Sequence, residues 1–89
     1  MRRDRFTVIA DVIASILHGK DRPLSLMYAA NLSLDQRNQY RDYLIEKNFI
    51  SFIDLTFHVK SSGVGYLRAF RQFRDECVRL GIEVRTREA

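Results

Sequence analysis

From Asp4 to His18 the apolar residues Phe6, Ile9, Val12, Ile13, Ile16 and Leu17 recur at helical spacing, with Thr7, Asp11 and Ser15 opposite them. The pattern predicts a first helix, and Gly19 is placed to end it. Asp21-Arg22-Pro23 reads as the start of a second helix, because proline is tolerated in a first turn. That short helix, Leu24 to Ala30, offers Leu26, Met27 and Ala30 to a core. Asn31 suits the left-handed conformation that reverses the chain. Ser33, with Gln36 three positions later, forms a capping box, so a third helix begins there and runs to about Asn48. It is poor in apolar residues. Leu34, Tyr40, Tyr43, Leu44 and Ile45 supply its inward or flanking surface, while Gln36, Asn38 and Gln39 fall outward.

The period changes at Phe49. "FISFIDLTFHV", residues 49–59, is β-branched and aromatic with a break near Ile53-Asp54, which predicts a compact hairpin whose turn lacks an Asn-Gly or Asp-Gly pair. Ser61 or Ser62 is expected to cap a fourth helix reaching about Leu80, where Gly81 stops it. Tyr66, Phe70, Phe73, Cys77, Leu80 and Val84 fall on it at heptad spacing, flanked by Arg68, Arg71, Arg74 and Arg79. A helix of that length spans about 28 Å, more than one face of so small a domain needs. The seam is therefore predicted to join two copies of the chain, with Cys77 a packed thiol near the two-fold axis; the simpler alternative is that it docks on its own core.

The order helix, helix, tight turn, helix, hairpin, helix is that of a winged helix-turn-helix: mainly α, with a small β-hairpin and a long C-terminal helix. Residues 1–60 would form the winged unit, 61–82 a dimerisation helix within the same compact body, and 83–89 a tail. In this topology the third helix enters a DNA major groove.

Composition narrows the possibilities. Eighty-nine residues make one domain, and 46% hydrophobic content excludes global disorder. A net charge of +4 favours a polyanionic partner. The single cysteine excludes an internal disulfide and fits a reducing compartment. No apolar run approaches the ~20 residues that span a bilayer, and Met1-Arg2-Arg3-Asp4-Arg5 leads into a periodic segment rather than a signal-peptide core. A cytoplasmic, nucleoid-associated protein is expected. His18, His58 and Cys77 lack metal-ligand spacing, no glycine-rich phosphate loop occurs and the acids are scattered, so neither an enzyme, a metal site nor a cofactor is expected.

"RRDRFTVIADVIASI", "LMYAANLS", "YLIEKNFI" and "SSGVGYLRAFRQF" together resemble the small archaeal winged-helix proteins over residues 2–80. The resemblance implies a chromatin-like or regulator-like DNA-binding domain that dimerises through an antiparallel coiled coil of its C-terminal helix. The chain departs from that pattern in three places: Arg37 and Arg41 stand where leucines are usual, Asn48 stands where glycine is frequent, and the wing at Ile53-Asp54-Leu55 is shorter and less polar.

The DNA-contact candidates are Ser33, Gln36, Arg37, Asn38, Gln39 and Arg41 on the third helix, Lys60 and Ser61 at the start of the fourth, and Arg2 and Arg3, with Arg5, at the N-terminus. Asn and Gln match adenine edges, Arg matches guanine, and Ser, Gln, Lys and Arg bind phosphate. Each also has a plain reading as solvated surface. Arg37 and Arg41 are four apart, so their like charges share one ridge; phosphate, the acids Asp75 and Glu76, or open solvent could each compensate. Tyr66, Phe70, Phe73, Cys77 and Leu80 are the dimer-interface candidates. Phe52, Ile53 and Leu55 make an apolar hairpin tip suited to a protein partner. Two functions follow: a dimeric double-stranded-DNA-binding regulator or nucleoid-associated protein, or a winged-helix protein-interaction module without DNA binding.

Overall fold

The computed structural model describes residues 3–82. The chain forms α1 (Arg5–Leu17), α2 (Pro23–Ala29), α3 (Leu34–Glu46), an antiparallel hairpin of β1 (Ile50–Ile53) and β2 (Thr56–Val59), and α4 (Ser61–Arg79). The predicted order of elements is the observed one. The expectations for Arg2, Val84 and the 83–89 tail lie outside the described residues.

Local chemistry explains the boundaries. Asp4 caps α1 by accepting from the Thr7 amide at 2.7 Å. Ser33 and Gln36 form the capping box of α3 in both directions. All four helices end alike, with the residue after the cap in the left-handed region: Gly19, Asn31, Asn48 and Gly81, at φ between 56° and 92°. In each, the next amide reaches back to a carbonyl one turn inside the helix: Lys20 to Ser15, Leu32 to Met27, Phe49 to Leu44 and Ile82 to Cys77. Asn48 thus keeps the conformation for which glycine is favoured, since asparagine is the next best residue there.

The core gathers around α1. Val8, Ile9, Val12, Ile13 and Ile16 meet Leu26, Ala30 and Leu32, then Leu44, the inward strand residues Ile50 and Phe57, and Leu67. Two expectations about α1 are corrected. Thr7, assigned to the polar side, is fully buried, while Phe6 and Leu17 are exposed. The helix is contacted by α2, β2 and α4, so its buried arc is wider than one stripe and takes in the small residues Thr7 and Ala10. On α3, Leu34 and Ile45 are exposed rather than inward, and Leu44 is the helix's one buried residue.

The hairpin pairs Ile50 with Val59 and Phe52 with Phe57, whose rings lie 4.6 Å apart. Its two-residue turn, Asp54-Leu55, has positive φ at both positions, 53° and 62°, as a type I′ turn requires. Aspartate tolerates this conformation. Leu55 is held in it at a cost of about 1–2 kcal/mol. The Phe57 amide donates to the Asp21 carbonyl at 2.7 Å, tying β2 to the α1–α2 loop.

The start of α4 differs from expectation. Neither Ser61 nor Ser62 caps it: Lys60 is the cap residue, without a side-chain hydrogen bond. Ser62 is drawn instead to the Asn48 carbonyl, 2.5 Å away, and the Lys60 amide donates to the Phe49 carbonyl at 2.9 Å. Gly63 lets these chains meet, because a Cβ there would lie 2.3 Å from the Phe49 oxygen. One turn on, Leu67 enters the core, and the Tyr66 hydroxyl donates to the Phe6 carbonyl at 2.7 Å.

Candidate nucleic-acid interface

Burying Leu44 fixes how α3 presents the rest of its surface. Residues 35, 39, 42 and 46, spaced four, three and four apart, form one exposed ridge: Asp35, Gln39, Asp42 and Glu46. Three of the four are carboxylates. This acidic crest was missed in the sequence, although helical periodicity applied to the charges would have found it. The carboxylates of Asp35 and Glu46 oppose phosphate along this ridge, while Asp42 is paired with Arg41 at 2.9 Å and Gln39 is the ridge's uncharged member.

Most of the candidate contacts on α3 already have partners. The Gln36 side chain accepts from the Ser33 amide at 3.0 Å, and the Ser33 hydroxyl accepts from the Gln36 amide at 3.2 Å. Arg37 is half-buried and donates to Asn38 Oδ1 at 3.2 Å, while its Nε is buried without a partner. That bond takes one lone pair of the amide oxygen, so Asn38 keeps its N–H donors and one acceptor lone pair for another molecule. Arg41 donates to Asp42 at 2.9 Å. Asp75 lies 3.9 Å from Arg74, and Glu76 is bonded to Arg79, so within the chain neither acid pairs with Arg41. Gln39 is exposed and has no hydrogen bond to another described residue.

Arg3 is corrected more sharply. Its side chain is only 11% exposed, because the guanidinium bonds Asp11 at 2.8 Å and the carbonyls of Ala30 and Asn31 at 2.6 and 3.0 Å. It is a strut between α1 and the end of α2 rather than a free cation. Arg5 is different. Its guanidinium lies over the Tyr43 ring, 4.3 Å from the centroid, and Lys47 approaches the same ring at 5.6 Å. Arg5, Gln39, Tyr40 and Tyr43 line a shallow hollow on this flank of α3. Close by, burial pushes the Tyr66 hydroxyl up to about 12, with further contributions from Asp4, Tyr43 and Tyr40. Tyr43 and Lys47 were not among the sequence candidates; a tyrosine four residues before a lysine at the helix end was the available signal.

Lys60 and Ser61 are exposed at the start of α4, where the missing side-chain cap leaves first-turn amides available to an anion. The wing is poor in basic residues: residues 49–59 contain His58 but neither Lys nor Arg, and Asp54 sits at the turn. Phe52, Ile53 and Leu55 are exposed there, Leu55 to 75%.

The α4 seam divides in two. Tyr66 and Phe70 are half-buried against their own core, and Cys77 is buried within the chain rather than displayed. Phe73 and Leu80 stand out at 65% and 61% exposure. With Phe6, Ala69 and Phe70, Phe73 lines an apolar hollow of about 390 Å³ along α4. No helix among the described residues is long and apolar enough to cross a membrane.

A family model described as winged helix-turn-helix matches residues 2–77. A search of curated proteins finds no match.

Proposed function

The chain belongs to the winged helix-turn-helix family, and on that ground we propose that it binds double-stranded DNA as a homodimer, as a transcription regulator or nucleoid-associated protein in the cytoplasm. It acts by binding, without catalysis.

The observation that carries this reading is the flank of α3 where Gln39 and Tyr43 meet Arg5 and Lys47. A free amide suits base edges, and two cations held against one aromatic ring suit the phosphates that border a groove. The carboxylates on the ridge disfavour phosphate there, so the duplex meets Gln39 from the side on which Arg5, Tyr43 and Lys47 lie. Lys60 and the uncapped start of α4 supply a further phosphate contact. Phe73 and Leu80 supply the apolar surface that pairs the protomers.

A second reading has its own support. Asp35, Asp42 and Glu46 on the crest, together with the apolar wing tip, suit a protein partner. Two substitutions separate the readings. Arg5→Ala should weaken binding to all duplexes alike and lower the salt slope by about two units, one for each protomer, whereas Gln39→Ala should cost about 1–3 kcal/mol at a preferred site only. If both variants bind duplex DNA as the parent does, the α3 flank is not the DNA surface and the proposal fails.

A further inference from the structure

Two adjoining hollows share Asp11 and Ala14 of α1. The larger, about 510 Å³, lies between α1 and the α2–α3 turn and is lined by Arg3, Ser15, His18, Lys20 and Asn31. The smaller, about 50 Å³, opens toward α4 at Arg71 and Arg74. Four permanent cations and one histidine therefore surround a single carboxylate. Arg3 already neutralises that carboxylate at 2.8 Å, which leaves Lys20 and Arg71 uncompensated. Lys20 and Arg71 have no ion-pair partner among the described residues, and Arg74 reaches only Asp75, at 3.9 Å.

The polar groups have capacity to spare. His18 Nδ1 lies 3.1 Å from the Ala14 carbonyl. A carbonyl only accepts, so Nδ1 carries the hydrogen, and Nε2 of the neutral ring is an acceptor that suits a ligand hydroxyl rather than a phosphate oxygen. The Ser15 hydroxyl donates to the Asp11 carbonyl, and its lone pairs remain. The volume falls within the ~300–1,000 Å³ typical of small-molecule sites, but the walls are charged rather than apolar. A ligand able to satisfy several cations at once carries more than one negative charge and several acceptor oxygens, which is the chemistry of phosphate.

We propose that the larger hollow binds a small phosphate-bearing molecule, held by Lys20, with Arg71 and Arg74 extending the positive field. The hollow is wired to α3. Arg3 bonds the carbonyls of Ala30 and Asn31, and Asn31 holds the left-handed turn that leads into α3. A ligand here bears on the setting of α3. That coupling rests on the DNA-binding reading; the binding itself does not.

The test titrates the full-length, ¹⁵N-labelled chain with inorganic pyrophosphate and, separately, with a short DNA duplex. Pyrophosphate should saturate, shifting the amides of Ser15, His18, Lys20 and Asn31. Lys20→Ala should weaken it about tenfold, the loss of one charge-assisted contact, Lys20→Arg should largely restore it, and Arg68→Gln, outside both hollows, should leave it unchanged. Shifts that never saturate, or a Lys20→Ala variant that binds like the parent, would show a diffuse counter-ion only and overturn the proposal. So would a duplex that shifts Ser15 and His18, because the hollow would then be a DNA-backbone contact. A duplex that shifts nothing, beside pyrophosphate that saturates, would sink the DNA reading and leave the site standing.

Discussion

Replacing Phe73 by glutamate should separate the protomers while leaving each one folded. Phe73 is 65% exposed in the single chain. A phenylalanine presents ~150–250 Å² when fully open, so about 100–160 Å² remains to be covered. At about 25 cal/mol per Å², covering it is worth about 2.5–4 kcal/mol per protomer, and two-fold symmetry doubles that. Glutamate forfeits this area and brings a carboxylate that must be desolvated. Losing even 4 kcal/mol weakens association about a thousandfold. Sedimentation equilibrium at about 50 µM, within the range of ordinary interfaces, should show a parent dimer and a Phe73→Glu monomer. Because the side chain takes little part in its own core, the circular-dichroism melt of the variant monomer should stay cooperative. A monomeric parent, or a variant that remains dimeric, would refute the α4 interface.

Gly63→Ala should destabilise the fold by about 1–3 kcal/mol in urea titration, since the added Cβ meets the Phe49 carbonyl oxygen at 2.3 Å and neither chain is a movable side-chain end; a neutral effect would mean that the junction of α4 with the hairpin yields easily. Tyr66 gives a pH signature. Its folded value, raised to about 12 from an ordinary 10, favours the protonated hydroxyl in the native state, so that stabilisation is complete below pH 10 and is lost as pH rises toward 12. Thermal melts across that window should fall more steeply for the parent than for Tyr66→Phe.

The element order was legible because most helix boundaries carry a local device: Asp4, Ser33 with Gln36, and the left-handed positions Gly19, Asn31 and Gly81 all act within a few residues of themselves. The start of α4 was not legible. Ser61 and Ser62 look like caps, yet the decisive contacts are with Asn48 and Phe49, which are distant in sequence. Arg3 failed in the same way, since the chain gives no sign that Ala30 and Asn31 will lie beside its guanidinium. On α3 Gln36, Asn38 and Gln39 read as outward, but the acids Asp35, Asp42 and Glu46 were not placed on a face. Helical spacing puts Asp35, Gln39, Asp42 and Glu46 on one ridge, and Gln39 also borders the hollow that Arg5 and Tyr43 line, so only tertiary packing chooses which side of the ridge the cations join.

The central claim is tested most directly by the affinity of the parent chain for random duplex DNA across a salt series, read by fluorescence anisotropy. Arg5, Lys47 and Lys60 are the cations beside α3 and the start of α4. Three per protomer make six in a dimer, so the logarithm of the binding constant should fall with the logarithm of salt at a slope of about −5. No binding at the lowest salt, or binding that salt leaves unchanged, would contradict the account and give the α3 face to a protein partner.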